Sequence, residues 1–398
     1  MTPDVFAPAA LGPVQLRNRI VKAATFEGRT PHGVVSPELI DLHRTLGEGG
    51  VGLTTVAYCA VSPEGRTHAE QLVVGPGTRD GLTRLTETVH ATGAKVAAQV
   101  GHAGPVANGR SNGAPAIAAS SMPSPLSMQM IRSATEADLT RVTKAYVMAA
   151  RTLVECGFDV LELHMAHNYL ISSFLAPQLN RRKDGWGGSL ENRARLGRQV
   201  ARAVRDEVGD AVAVTAKTSL SDGYRGGFDT EEALVFAQML EADGNLDALQ
   251  LSGGSSLMNP MYLFRGGAPV KEFAANMPFA VKWGMRVVGK GFLKSYPFEE
   301  AYFREKAMRF RAGLSMPLML LGGINRRETM EQAMADGFDY VAMARALVHE
   351  PGIVNRLAAR EVPGGACLHC NRCMPTIYAV GGVYCPPQLE GTAPLAAP

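Results

Sequence analysis

Short apolar runs alternate with longer stretches of helical period through most of this chain. Eight runs read as buried strands: Arg19–Ala23, Val51–Val56, Lys95–Val100, Val160–His164, Val212–Lys217, Ala248–Ser252, Leu318–Leu321 and Tyr340–Met343. Helical patterns lie between them, among them Leu82–Thr92, Ala137–Cys156, Leu190–Val208 and Thr230–Ala242. Start signals support several. Ser36-Pro37-Glu38 offers a cap and a first-turn proline, and Asp229 with Glu232, and Asn325 with Glu328, have capping-box spacing. Eight strands alternating with helices predict an α/β fold, a (β/α)8 TIM barrel. The doubly wound alternative lacks its glycine-rich dinucleotide fingerprint after the first strand.

Two segments exceed a minimal barrel. A long insert, about 255–313, follows strand six, with more basic than acidic residues and interleaved aromatics (Tyr262, Phe264, Trp283, Tyr296, Phe303). It leaves the strand at the C-terminal mouth of the barrel. It reads either as a cover over the active site or as a peripheral subdomain or oligomer contact. The tail is rich in Pro, Ala and Gly and is expected to be disordered. The expected organisation is a barrel over 1–362, a four-cysteine segment over 363–386 and a disordered tail over 387–398.

Composition narrows the class. The 398 residues are 46% hydrophobic and 19% charged, ordinary for a globular protein with a large core. A net charge of +3 argues for neither nucleic acid nor a membrane surface. Without a signal-like N-terminus or a bilayer-length apolar run, the expected location is the cytoplasm. Cys59 and Cys156 read as small buried hydrophobes, while Cys367, Cys370, Cys373 and Cys385 crowd one segment. In a reducing compartment such crowding reads as metal binding before disulfides.

The densest chemistry follows strand four, where Val160-Leu161-Glu162-Leu163 runs into His164, His167 and Tyr169. If the leucines pack outward on helices, Glu162 and His164 face the barrel interior. His-x-x-His is compatible with two satisfied polar residues in a turn, or with a metal pair whose third ligand is not obvious. It also suits two neutral imidazoles gripping a carbonyl oxygen while a phenol supplies a proton.

The stretch HMAHNYL, then FLAPQLNRRKDGWGGSLENRAR, closely resembles the old yellow enzyme family of FMN-dependent oxidoreductases. Asn18-Arg19-Ile20-Val21, Val61 to Arg66, Gln99 to Gly104 and Val341 to Arg345 extend the resemblance over nearly the whole barrel. It implies bound FMN, NAD(P)H as co-substrate and a small-molecule substrate such as an activated alkene or enone. Gln99 would meet the flavin pyrimidine edge, and Lys217 would supply a cation near N1. Ala60 would touch the ring through its backbone. Gly322 and Gly323, with Ala344 and Arg345, would hold the phosphate. The chain departs from the family pattern at Ala344, commonly glycine, at Asn168, also commonly glycine, and at Pro105, where arginine is frequent. Phe26 stands at the usual Thr or Cys position of strand one, which leaves Thr25 as the candidate flavin contact.

The cysteine spacing, C-x2-C-x2-C-x11-C, resembles the motif of the larger family members, the 2,4-dienoyl-CoA reductase and trimethylamine dehydrogenase group. There it holds a 4Fe–4S cluster; a closed structural zinc site is the alternative. The expected activity is reduction of an activated C=C bond, with hydride from flavin N5 and a proton from Tyr169, while His164 and His167 hold the carbonyl. The alternatives are an oxidative flavin dehydrogenase discharging through a cluster, and a redox subunit needing a partner flavoprotein. The substrate, the oligomeric state and the choice of NADH or NADPH stay open.

Overall fold

A computed structural model describes residues 2–124, 127–275, 293–379 and 381–390. Eight parallel strands close into a barrel: Ile20–Lys22, Leu53–Ala60, Lys95–Gly101, Val160–Met165, Ala213–Ser219, Ala248–Ser252, Leu318–Leu321 and Tyr340–Met343, with strand eight returning to strand one. Helices such as Glu136–Glu155, Leu190–Val208 and Thr230–Asp243 cover the outside. Every predicted strand is present. Strand two continues through Ala57-Tyr58-Cys59-Ala60 and strand five through the polar Thr218 and Ser219, so both run further toward the mouth than predicted.

Period-two alternation sorts the barrel interior into layers. The lower layer is apolar: Val21, Leu53, Ala97, Val160, Ala213, Ala248, Met319 and Tyr340 belong to one buried cluster. Leu11 and Leu16 join it from a hairpin, Ala9–Leu11 with Val14–Leu16, which plugs the floor. Two positions further up the strands the interior turns polar. Gln99, Glu162 and Gln250 are all buried, and Lys217 and His164 stand at the level above, nearer the mouth. Leu161 and Leu163 point the other way, into the shell between barrel and helices. The predicted inward direction of Glu162 and His164 is therefore observed.

The helices start largely as expected. Ser36 accepts from the Leu39 N–H, and Asp229 from that of Glu232. Asn325 does not cap its helix, which begins at Arg327 after Arg326. Its amide donates instead to the Gly365 carbonyl, while Glu300, from the insert, accepts from the Asn325 N–H and the Thr329 hydroxyl. Glu300 thus ties Asn325 to the first turn of the helix without capping it.

The insert lies at the mouth. Its first residues sit on the strand-four turn, with the Ser256 N–H donating to the His167 carbonyl. Further on, Tyr302 donates its N–H to Gly322 and its hydroxyl to Leu263. Residues 276–292, including Trp283, lie outside the described residues. The expected disordered tail is corrected at its start, where Pro386–Leu389 form a helical turn; 391–398 lie outside the described residues.

Candidate active site

The turn after strand four gathers the three predicted catalytic side chains. His164 stacks on Tyr169 with ring centroids 4.3 Å apart, and His167 meets His164 edge-on at 5.1 Å. The turn needs left-handed backbone at two successive residues, His167 (φ 61°) and Asn168 (φ 60°). Asparagine tolerates that conformation better than most residues. Asn168 is also fully buried and clamped. Its amide donates to Asp222 after strand five at 2.9 Å, and its oxygen accepts from Ser255, the first insert residue. The asparagine that replaces the family glycine thereby ties three loops together. Burial pushes Asp222 up to about 6, against the hydrogen bonds it accepts from Phe228 and Asn168.

Protonation states follow from the contacts. The Ala166 N–H donates to His164 Nδ1 at 3.3 Å, so His164 carries its proton on Nε2. His167 Nε2 lies 2.8 Å from the Ser252 hydroxyl. Burial holds His164 well below the ordinary histidine range, and the neighbouring His167 and Lys217 add to it. Burial and then Lys217 pull His167 down to about 3. Burial also pushes the Tyr169 phenol up, so it stays protonated. Both imidazoles are neutral and the phenol holds a proton, the combination needed to polarise an oxygen and donate H⁺.

This has a consequence for stability. Unfolded histidines titrate near pH 6.5, and these folded ones resist protonation. The stability they contribute is present above about pH 6.5 and is lost as pH falls toward the folded values. Tm should stay level between about pH 7 and 8 and fall steadily below about pH 6.5. A Tm unchanged down to about pH 4 in a thermal-melt series would contradict this assignment.

Below the histidines, Glu162 joins two predicted flavin contacts. It accepts from the Gln99 amide at 2.7 Å and pairs with the Lys217 ammonium at 3.0 Å. Gln250 lies alongside, its amide oxygen buried with no hydrogen-bond partner among the described residues. A polar layer so deep, with an orphaned acceptor, fits a polar planar ligand such as a flavin ring. Ala60 is fully buried beside Gly101.

The other predicted contacts lie toward strands seven, eight and one. Gly322 and Gly323 adopt φ of 118° and 81°, and side chains of Phe298, Tyr302 and Phe303 stand where their Cβ atoms would be. Thr25 and Ala344 line a common pocket with Lys22, Glu27 and Cys385. Phe26 meets His68 edge-on at 5.1 Å. Arg345 donates from Nη1 to the Arg265 carbonyl at 2.7 Å and to the Asn371 side chain. Asn371 in turn donates to the Phe264 and Gly267 carbonyls. Arg345 therefore joins strand eight to both the insert and the cysteine segment. Arg265, not among the expected site residues, places its guanidinium 5.2–5.9 Å from the ring centres of Tyr262, Tyr296 and Tyr302. A lone arginine in a loop carries no sequence signal for such a cage.

Cys367, Cys370, Cys373 and Cys385 line one pocket with Arg345, Val348 and His349. Burial, with the neighbouring thiols adding to it, pushes Cys373 up to about 12. Among the described residues, no three His, Cys, Asp or Glu side chains are close enough to hold a single metal ion. No described helix is long and apolar enough to cross a membrane.

Known proteins resemble this chain in sequence and fold. The chain is 52% identical over 377 residues to 4,4'-dithiodibutanoate disulfide reductase of Rhodococcus erythropolis, covering 95% of this chain and 94% of that one. A 2-naphthoyl-CoA reductase superposes with a TM-score of 0.82 at 22% identity, covering 98% of this chain and 58% of that one. The old yellow enzyme homologue of Zymomonas mobilis gives 0.74 at 20% identity, covering 97% and 98%. A family model matches residues 4–253, and on that match the chain belongs to the NADH:flavin oxidoreductase / NADH oxidase family.

Proposed function

We propose that this flavin-dependent NAD(P)H oxidoreductase reduces an electron-poor C=C bond conjugated to a carbonyl. The observation that carries the reading is the neutral His164–His167 pair stacked beside a protonated Tyr169. When bound, FMN would supply two-electron hydride chemistry between NAD(P)H and the substrate. Gln99 and Lys217 would hold its pyrimidine edge, and Gly322, Gly323 and Arg345 its phosphate. His164, donating from Nε2, and His167 would grip the carbonyl oxygen and draw charge from the alkene. As hydride is added at the β-carbon, the Tyr169 hydroxyl would protonate the α-carbon. One NAD(P)H and one proton are consumed per bond reduced.

A second reading is favoured by the 52% identity to the disulfide reductase over nearly the full length of both chains. Here the substrate is an organic disulfide: RS–SR, NAD(P)H and H⁺ give two thiols and NAD(P)⁺. The imidazole N–H donors would then stabilise a departing thiolate.

For the cysteines, the C-x2-C-x2-C-x11-C spacing and the single pocket that all four line support a 4Fe–4S cluster, with a closed zinc site as the rival. The deciding experiment is an anaerobic absorbance spectrum with metal analysis, followed by NAD(P)H oxidation with an enone and with a disulfide. Flavin bands, iron matched by acid-labile sulfide, and enone turnover are expected. Zinc in place of iron overturns the cluster. No NAD(P)H oxidation without an added redox protein overturns the self-contained reductase.

A further inference from the structure

The polar layer beneath the proposed flavin site holds one carboxylate that the chemistry above does not use. Glu162 projects inward from strand four and is 3% exposed. One of its oxygens, Oε1, meets both Gln99 Nε2 at 2.7 Å and Lys217 Nζ at 3.0 Å. Gln99 comes from strand three and Lys217 from strand five, the two neighbours of strand four in the barrel. Strand register places Glu162 opposite Gln99 and the adjacent Thr215, one turn of the pleat below Lys217.

We propose that Glu162 is a positioning residue of the flavin site, whose carboxylate fixes the atoms that Gln99 and Lys217 present to the flavin pyrimidine edge and keeps Lys217 in its ammonium form. The inference rests on the flavin reading above. A carboxylate only accepts hydrogen bonds, so the Gln99 amide must turn its nitrogen toward Glu162 and leave its oxygen for a donor such as the flavin N3–H. A glutamine at 162 accepts or donates, and that orientation is no longer dictated.

The second effect is electrostatic. Lys217 is 2% exposed, and burial alone drives a lysine toward its neutral form. The groups around it divide by sign. Glu162 and, farther off, Glu27 support the ammonium, while Lys22 opposes it. His164 and His167 stay neutral beside it. Glu162 is the one carboxylate in contact with Lys217 among the described residues. Removing its charge leaves a buried amine with no carboxylate in contact among the described residues.

The test is the pH dependence of the flavin midpoint potential. With Lys217 charged throughout, two-electron reduction to the anionic reduced flavin takes up one proton, a slope of about 30 mV per pH unit. In Glu162→Gln, Lys217 is neutral beside the oxidised flavin and protonates on reduction. Two protons accompany two electrons, and the slope doubles to about 60 mV per pH unit. Glu162→Asp, which keeps the charge, should return toward the parent slope. A parent-like slope in Glu162→Gln overturns the proposal.

Should Glu162→Gln bind flavin too weakly to titrate, Lys217→Gln and the double variant Lys217→Gln/Glu162→Gln decide it. The single variant strands a carboxylate against the site, so the double should bind FMN on the order of tenfold more tightly. Equal or weaker binding by the double overturns the proposal. Failure of the underlying reading looks different, because the unsubstituted protein would then carry no flavin spectrum.

Discussion

Tyr169→Phe is expected to slow enone reduction by about 10²–10⁴-fold while NAD(P)H still reduces the flavin at near the parent rate. The split follows from geometry. The ring stacks on His164 at 4.3 Å, and phenylalanine keeps that contact. Only the hydroxyl is lost, and with it the proton for the α-carbon. Hydride transfer from NAD(P)H needs no such proton. Stopped-flow traces of the two half-reactions separate the cases, and equal loss in both would remove Tyr169 from its role. The same variant distinguishes the two substrate classes. A departing thiolate has a conjugate-acid pKa near 8.5 and needs little help from an acid. If disulfide reduction is the natural reaction, Tyr169→Phe should cost it less than about tenfold.

The second large effect is on stability. Arg193→Ala is expected to destabilise the folded chain by about 3 kcal/mol. Arg193 begins the helix after the glycine-broken loop and is 4% exposed. Its guanidinium donates to the Gly188 and Leu175 carbonyls and binds Glu232 with two nitrogens. Glu232 opens the next helix but one strand later, so the contact locks the loop carrying the catalytic turn to its neighbour. Alanine leaves two carbonyls without their donor and Glu232 without its cation. Glu232 is partly exposed, which keeps the cost from rising further. Chemical denaturation should show a lower midpoint with an unchanged slope. An unfolding free energy within about 0.5 kcal/mol of the parent would show that water replaces the guanidinium.

The barrel was legible in the sequence because its strands are apolar on both faces in the lower half, which produces short runs of Val, Leu and Ala. Polar residues ending those runs, His164 and Lys217 among them, marked the mouth. The clustering of His164, His167 and Tyr169 was equally legible, because three sequence neighbours in one turn cannot be far apart. What escaped depends on contacts distant in sequence. The Asn325 cap failed because the helix starts two residues later, at Arg327, while Gly365 holds the Asn325 amide and leaves its oxygen without a partner among the described residues. The hairpin at Ala9–Leu16 is two three-residue strands around Gly12-Pro13, too short for periodicity to speak. Glu162 was seen to face inward, yet its partners Gln99 and Lys217 lie 63 and 55 residues away. The Arg265 cage is assembled from residues on both sides of 276–292.

The hydrogen bonds centred on Arg345 and Asn371 give the cysteine segment a mechanical standing that its position in the chain does not suggest. Asn371 satisfies two insert carbonyls, at Phe264 and Gly267, while its own oxygen receives Arg345. The Gly267 N–H donates to the His369 carbonyl, and the Val383 N–H to that of Glu27 beside strand one. Removing the segment would therefore uncap backbone on both rims of the barrel mouth. An ion or cluster bound by these cysteines would act as a clasp, and its loss would be felt where the insert meets the His167 turn.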